Sequence, residues 1–395
     1  MYISKLITVT KATAIYKKCS GEISMKKLLL AATVATLAMN AAQAAPTLYG
    51  KLSVTLDNVD NKNFDGKSDV TEVNSNASRI GVKGEEKLTE KLSAIYLAEW
   101  TISTDGSGSD TDLSARNRFI GLKSDGIGAL KVGKFDSYFR TAAGNNQDIY
   151  NDHTILDITN TMYGEDRFNN VIGFESDPKL LAGLTFNVMF QQGENTSDSK
   201  EGASGYDDKR DSFGDSVSAS VNYENKDLGL ALGVAGNSGV QGKYNAYSLK
   251  DIYSDAYRVT GSMDFGVIGA KGLVLGALWQ HAEPKDDLTA FNTGKKDTNG
   301  KDILANYKGL EEDAWVAALT YKIGDTPFAV KGQYQSATTA RDGFEDLKLD
   351  QYGVGLDYRF NKQARFYGIV AQQKRDWQDE DNKRTVVGAG MEYNF

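Results

Sequence analysis

From Leu48 to Asp57 the chain alternates without a break. Leu48, Gly50, Leu52, Val54 and Leu56 share one parity; Tyr49, Lys51, Ser53, Thr55 and Asp57 share the other. Successive side chains of a strand point to opposite faces, so this period predicts a strand with one apolar and one polar side. The pattern returns at residues 184–191, 257–265, 351–360 and 387–395. Sixteen such segments can be placed, centred near Leu52, Val82, Tyr96, Phe119, Val132, Ile172, Val188, Val221, Leu230, Val259, Leu275, Ala317, Val330, Val354, Gly368 and Ala389.

The connections sort by length. Short ones fall near residues 87–91, 125–128, 177–183, 224–227, 266–272, 324–327 and 361–363. Long ones fall near 58–77, 102–114, 136–166, 192–216, 236–255, 282–313, 336–348 and 372–384. Short turns on one side and long loops on the other is the layout of an outer-membrane barrel, and a soluble sandwich has no reason to adopt it. Beyond residue 44 no apolar run nears the ~20 residues of a spanning helix. All four prolines, Pro46, Pro178, Pro284 and Pro327, sit at strand starts, turns or loops, where no ladder donor is lost. Phe174, Tyr223, Tyr321, Phe328, Tyr358 and Phe360 fall near strand ends, as aromatic girdles at two membrane interfaces would. The expected fold is therefore all-β: a sixteen-stranded antiparallel transmembrane barrel.

Residues 25–44 read MKKLLLAATVATLAMNAAQA, with Lys26 and Lys27 before an apolar run and Ala42-Gln43-Ala44 as an A-x-A cleavage signal. This is a secretory leader, which makes Ala45 the first mature residue and 45–395 the barrel. Residues 1–24 fit no part of such a signal and are read as an upstream extension, with translation beginning at Met25. Without residues 1–44 the chain keeps 39 bases and 52 acids, a net charge of −13, and loses its only cysteine, Cys19. No disulfide framework is available to the mature chain. Its acidity also disfavours nucleic acid as a partner.

No catalytic set emerges. The two histidines, His153 and His281, lie in or beside loops, and no G-x-S-x-G occurs. GNSGVQGK at 236–243 misses the phosphate-loop spacing and is followed by Tyr244 where Ser or Thr is needed, so it reads as flexible loop. DTNGKD at 297–302 lacks the closing Glu of a calcium loop. Neither a cofactor nor a metal is expected.

The polar face says more. Alternation points Lys51, Arg79, Arg116 and Arg167 inward, with Arg118 on the face of Arg116. Charge on the lipid face costs about 2–4 kcal/mol at mid-membrane, which assigns these bases to the lumen. The third long connection carries Asp136, Asp148, Asp152, Asp157, Glu165 and Asp166 against Arg140 alone. Folded inward, it sets carboxylates against a basic wall, and opposed charges in a narrow pore give a transverse field and ion selectivity. As a solvated surface loop it would do neither.

The chain resembles the Gram-negative general diffusion porins of the trimeric sixteen-stranded type. The resemblance spans the mature chain and rests on Leu48-Tyr49-Gly50-Lys51, Ser78-Arg79-Ile80-Gly81-Val82-Lys83-Gly84-Glu85, the 116–123 run RNRFIGLK, Val132-Gly133-Lys134 and the 166–174 run DRFNNVIGF. The end, Gly390-Met391-Glu392-Tyr393-Asn394-Phe395, is similar to the terminal signal read by the barrel-assembly machinery, with Tyr393 and Phe395 as its aromatics. The resemblance implies a homotrimer in outer-membrane lipid and lipopolysaccharide, with an inward-folded third loop and Lys51, Arg79, Arg116 and Arg167 at the constriction. The loop departs from the enteric P-E-F-G-G tip, reading AGNNQDIYNDHT at 143–154, so its carboxylates do not carry over by position. Asp148 and Asp152 are taken as the facing acids.

The expected function is a water-filled, non-enzymatic channel for passive diffusion of ions and small hydrophilic solutes across the outer membrane of a Gram-negative bacterium. Residues 192–216 carry seven acids to three bases, and this vestibule excess predicts mild cation preference over a near-balanced constriction. A substrate-specific channel would want a line of aromatics along the lumen, which the polar faces lack. A barrel acting mainly as adhesin or structural anchor is the other alternative.

Overall fold

The computed structural model describes residues 45–62, 69–106, 113–151, 153, 156–193, 212–286, 288–377 and 380–395. The expected leader, the 24 residues before it and Asp152 lie outside the described residues. Thr47–Phe395 forms one compact unit.

Its strands are β1 (Thr47–Lys62), β2 (Val70–Ser75), β3 (Arg79–Lys87), β4 (Leu92–Thr101), β5 (Ser114–Ser124), β6 (Gly128–Asp136), β7 (Arg167–Ser176), β8 (Leu184–Gln191), β9 (Ser216–Asn225) and β10 (Leu230–Tyr244). They continue as β11 (Leu249–Asp264), β12 (Leu273–Pro284), β13 (Phe291–Lys296), β14 (Asp302–Ala305), β15 (Glu311–Lys322), β16 (Phe328–Ala340), β17 (Leu347–Arg359), β18 (Ala364–Trp377) and β19 (Glu380–Asn394). β2 and β3 are halves of one stave: both pair with β1, and the break between them holds Ala77 at φ 49°. β13 and β14 form a separate hairpin. The rest is a sixteen-stave antiparallel meander, closed where β1 pairs with β19 over Lys51↔Asn394 to Lys62↔Lys383. Closure leaves no strand edge for hydrocarbon to desolvate, the condition for a sheet to live in a bilayer.

Burial is inverted relative to a soluble protein. In β1, Leu52 and Leu56 are 39% and 56% exposed, whereas Ser53, Thr55 and Asp57 are at most 2% exposed. The apolar parity faces outward and the polar parity faces a crowded lumen. Aromatics ring the outer face at both ends. Phe328, Tyr358, Phe360 and Phe366 make edge contacts of 4.8–5.1 Å near the short turns. Nearer the long ends, Tyr257 meets Trp279 edge-on at 5.4 Å and Trp315 meets Tyr334 in a tilted pair at 5.0 Å.

All seven short turns stand where alternation placed them. Several long connections do not. Residues 236–255 read as loop, yet β10 runs to Tyr244 and β11 starts at Leu249. The GNSGVQGK stretch thus lies in β10, with a bulge between Asn237 and Val240, and is no flexible loop. Likewise β16 and β17 extend to Ala340 and from Leu347. Above the membrane the outer face need not be apolar, so the period-two signal fades while the hydrogen-bond ladder continues. The DTNGKD turn joins β13 to β14, and its Asp297 carboxylate accepts the amides of Asn299 and Lys301.

Candidate functional site: the inner loop and the charged wall

The third connection turns into the lumen. It opens on a single turn, α1 (Tyr138–Thr141), where Ser137 Oγ accepts the Arg140 amide at 3.0 Å, a standard N-cap. The buried apolar side chains are seams between this loop and the wall. Ala143, Ile158 and Met162 pack on Leu278, Ala314, Val316 and Ala337, and Tyr150 and Leu156 pack on Ile369 and Ala371. Polar contacts pin the root of the loop. Fully buried Arg258 on β11 donates to the Phe139 carbonyl at 2.9 Å, stacks on the Phe139 ring and pairs with Glu165. Burial pushes the Glu165 carboxyl above the usual range, and Arg258 and Arg140 pull against that shift. Gln280 donates to the Tyr163 carbonyl at 2.9 Å, and Glu312 accepts the Tyr163 amide at 2.7 Å.

Between loop and wall lies a cavity of about 310 Å³ whose lining includes Arg79, Arg116, Arg140, Arg167, Asp136, Asp148 and Glu165. Its charges are mostly paired. Arg116 Nε meets Glu99 at 2.5 Å, with Arg79 3.6 Å from the same carboxylate, which also accepts the Tyr49 hydroxyl at 2.8 Å. Asp136 takes Arg167 at 3.0 Å, Arg140 at 2.9 Å and the Asn117 amide at 2.7 Å. Arg140 also reaches Glu165 at 3.7 Å. Three predicted bases, Arg79, Arg116 and Arg167, come together here with three of the loop acids, Asp136, Asp148 and Glu165, of which Asp148 is an expected facing acid. Asp157 does not; its side chain caps the turn at Thr159. Lys51 opens instead on a narrow cleft with Tyr150, His153, Asp357, Arg365 and Glu392, though its Cα pairs with that of Arg79.

Arg118 departs from expectation. Ala98 pairs with Arg118 but Trp100 pairs with Ala115, so one extra residue bulges in β5. The bulge reverses the phase: Arg116 reaches inward to Glu99, whereas Arg118 lies on the outer face over the Trp100 ring at 5.0 Å. Four residues from the strand's outer end, a charge beside a Trp fits the interfacial belt, where its cost falls to about 0–1 kcal/mol. The lumen also carries aromatics that alternation alone did not reveal: Phe119, Phe135, Tyr138 and Phe168 cluster inside the wall. They do not form a solute track, because the Lys131 ammonium sits among Phe119, Phe135 and Tyr138 at 4.6–5.7 Å. Sequence reasoning overlooked Glu99 and Arg258. Both occupy inward positions, and a charged residue at such a position was the available signal.

At the seam, Phe395 exchanges both backbone hydrogen bonds with Gly50, at 2.9 and 3.0 Å, and stacks near Tyr393. A Cβ on Gly50 would lie 2.4 Å from the Phe395 ring, so close approach requires glycine there.

A closed barrel with a polar lumen, an apolar belt and a loop folded across the bore defines a water-filled outer-membrane channel. The profile described as Gram-negative porin matches residues 30–394, and the chain belongs to that family. It is similar to major outer membrane protein P.IB of Neisseria meningitidis serogroup B, serotype 15, at 32% identity over 94% of this chain and 100% of the relative. It is 25% identical to an outer membrane porin protein of Bordetella pertussis over the same shares. Among solved structures it shares the fold of an anion-selective porin from Comamonas acidovorans, with TM-score 0.61, 18% identity and coverage of 89% and 99% of the two chains. The trimer form of OmpT, an outer membrane protein of Vibrio cholerae, superposes with TM-score 0.58 at 15% identity over the same shares. The protein is an outer-membrane porin for passive diffusion of ions and small hydrophilic solutes.

Proposed function

We propose that this porin works as a homotrimer and discriminates weakly by charge, with a mild preference for cations. One observation carries the reading: four guanidiniums, Arg79, Arg116, Arg140 and Arg167, face four carboxylates, Glu99, Asp136, Asp148 and Glu165, in and beside one cavity. We assign these residues to the constriction. Their balance leaves a transverse field with little net sign, so the acidic excess elsewhere in the chain sets the preference. That excess acts through solvent and is screened over about 8 Å at physiological salt, so the preference weakens as salt rises. The trimeric form of one fold neighbour supports the homotrimer. Asp152 joins the facing acids only as a proposal from sequence. Outer-leaflet lipid and lipopolysaccharide surround the belt, and the barrel-assembly machinery reads Tyr393 and Phe395. The reading is of a channel and not of an enzyme, with residues 25–44 as a cleaved leader. A zero-current potential across a salt gradient tests the selectivity; anion preference at low salt would overturn it.

A further inference from the structure

The inner wall is not charged all round. Below the level of Arg258, one rung of paired inward positions runs Thr185, Asn222, Gly233, Thr260. The next places Ser262 opposite Gly276, and Gly276 opposite Ala318. No Asp, Glu, Lys or Arg occupies these inward positions until the rim residues Glu224 and Asp264. Charges gather elsewhere, at the Arg79–Arg116–Arg167 cavity and around Asp357 and Arg365. Over the neutral sector hangs the part of the inner loop that departs from the enteric porins. Asn145, Asn146 and Gln147 close a cavity of about 750 Å³ against Thr185, Asn222 and Ser262, with Lys179, Glu224 and Lys226 at its rim. Asn146 Nδ2 donates to Ser262 Oγ at 3.1 Å, tying roof to wall, and Thr260 Oγ1 donates to the Ala143 carbonyl at 3.1 Å. This volume lies within the range of small-molecule sites.

The chemistry of the lining selects its solute. A side-chain amide offers both donors and an acceptor, and a hydroxyl offers both roles, which is what a sugar hydroxyl needs. An ion that sheds water against the amides and hydroxyls meets no charge among them; the nearest are at the exposed rim, where Lys226 and Glu224 pair at 3.8 Å, so little offsets its desolvation. Ions are therefore steered to the charged side and neutral polar solutes to this one.

We propose that this amide-lined ledge is a binding subsite for uncharged, hydroxyl-rich solutes, a short neutral oligosaccharide in particular, forming a second lane beside the charged cavity. It rests on the channel reading and adds a binding step to it. The test is a planar-bilayer recording of the full protein with maltotriose, a neutral trisaccharide, as probe. The expected result is transient interruption of the ion current, with Asn222→Leu shortening the residence time roughly fivefold, the worth of about one hydrogen bond. If that variant does not assemble, Thr185→Val with Ser262→Ala serves, with the same expected shortening. Arg116→Ala should shift the reversal potential and leave the residence time unchanged. A channel that conducts normally yet is not interrupted by saturating sugar overturns the subsite and leaves the channel reading intact. A residence time indifferent to both ledge variants overturns it as well. Absence of conductance would take down the channel reading and the subsite together.

Discussion

Arg116 shares the Glu99 carboxylate with Arg79, and the shorter contact is its own. Arg116→Ala therefore leaves a lumen carboxylate only partly compensated and removes one of the two guanidiniums beside it. A unit charge about 4 Å away is worth ~1 kcal/mol in water, or roughly fivefold in the local concentration of each ion and in opposite directions for cations and anions, with Arg79 offsetting part. The expected outcome is stronger cation preference and higher single-channel conductance; neither moving would contradict the assignment. His153 gives a pH handle. It is buried at the loop tip, and burial pushes its pKa below the usual range, although Asp57 and Asp157 pull upward while Arg365 pulls down. The unfolded or released loop thus binds the proton better than the docked one. Docking is fully supported above the ordinary histidine value near 6.5 and is lost as pH falls through the lowered one. Current noise should rise on acidification below about pH 6, and His153→Leu should abolish that rise. Noise that keeps its pH profile in His153→Leu would remove histidine from the account.

Among elements, the inner loop depends most on a few contacts. Arg258→Gln would leave Glu165 buried beside Arg140 alone. Breaking a buried pair from one side costs about 3–5 kcal/mol, enough to loosen the loop root without opening the barrel. We expect a normal trimer band and an unsteady open-channel current, with Glu165→Gln added to Arg258→Gln quieting part of it. A steady current in Arg258→Gln would show that the apolar seams hold the loop unaided. At the closing seam, deleting Phe395 removes both backbone bonds to Gly50 and an outward aromatic. Outer-membrane levels should fall while export continues, as fractionation and immunoblotting would measure; unchanged levels would refute the terminal-signal role.

The strands were legible because lipid enforces period two on every stave that crosses it. Where that pressure ends, legibility ends too. The β10–β11 and β16–β17 hairpins rise above the belt and hid as loops. The β5 bulge slipped the phase between Arg116 and Arg118, because one extra residue leaves composition unchanged and reverses the facing. The charged cavity was half legible. Arg79, Arg116, Arg167 and Asp148 stood out by parity and loop composition. Glu99 and Arg258 serve pairing and anchoring, which depend on cross-barrel distances that one strand does not encode.

At the scale of the whole molecule, the inverted burial of β1 and its counterparts explains why this acidic chain needs a bilayer. Circular dichroism of the purified protein should be dominated by strand, and the native species should migrate as a heat-modifiable trimer; a helical spectrum or a monomer in mild detergent would oppose this. Mass spectrometry of the exported protein should find Ala45 at its N-terminus, and retention of residues 25–44 would refute the leader. The central claim is a charge-balanced constriction inside a weakly cation-preferring pore. Its most direct test is the zero-current potential of the reconstituted protein in a potassium chloride gradient, measured from low to high salt. The account predicts a small potential of cation sign that shrinks toward zero as salt rises. A potential of anion sign at low salt would contradict it.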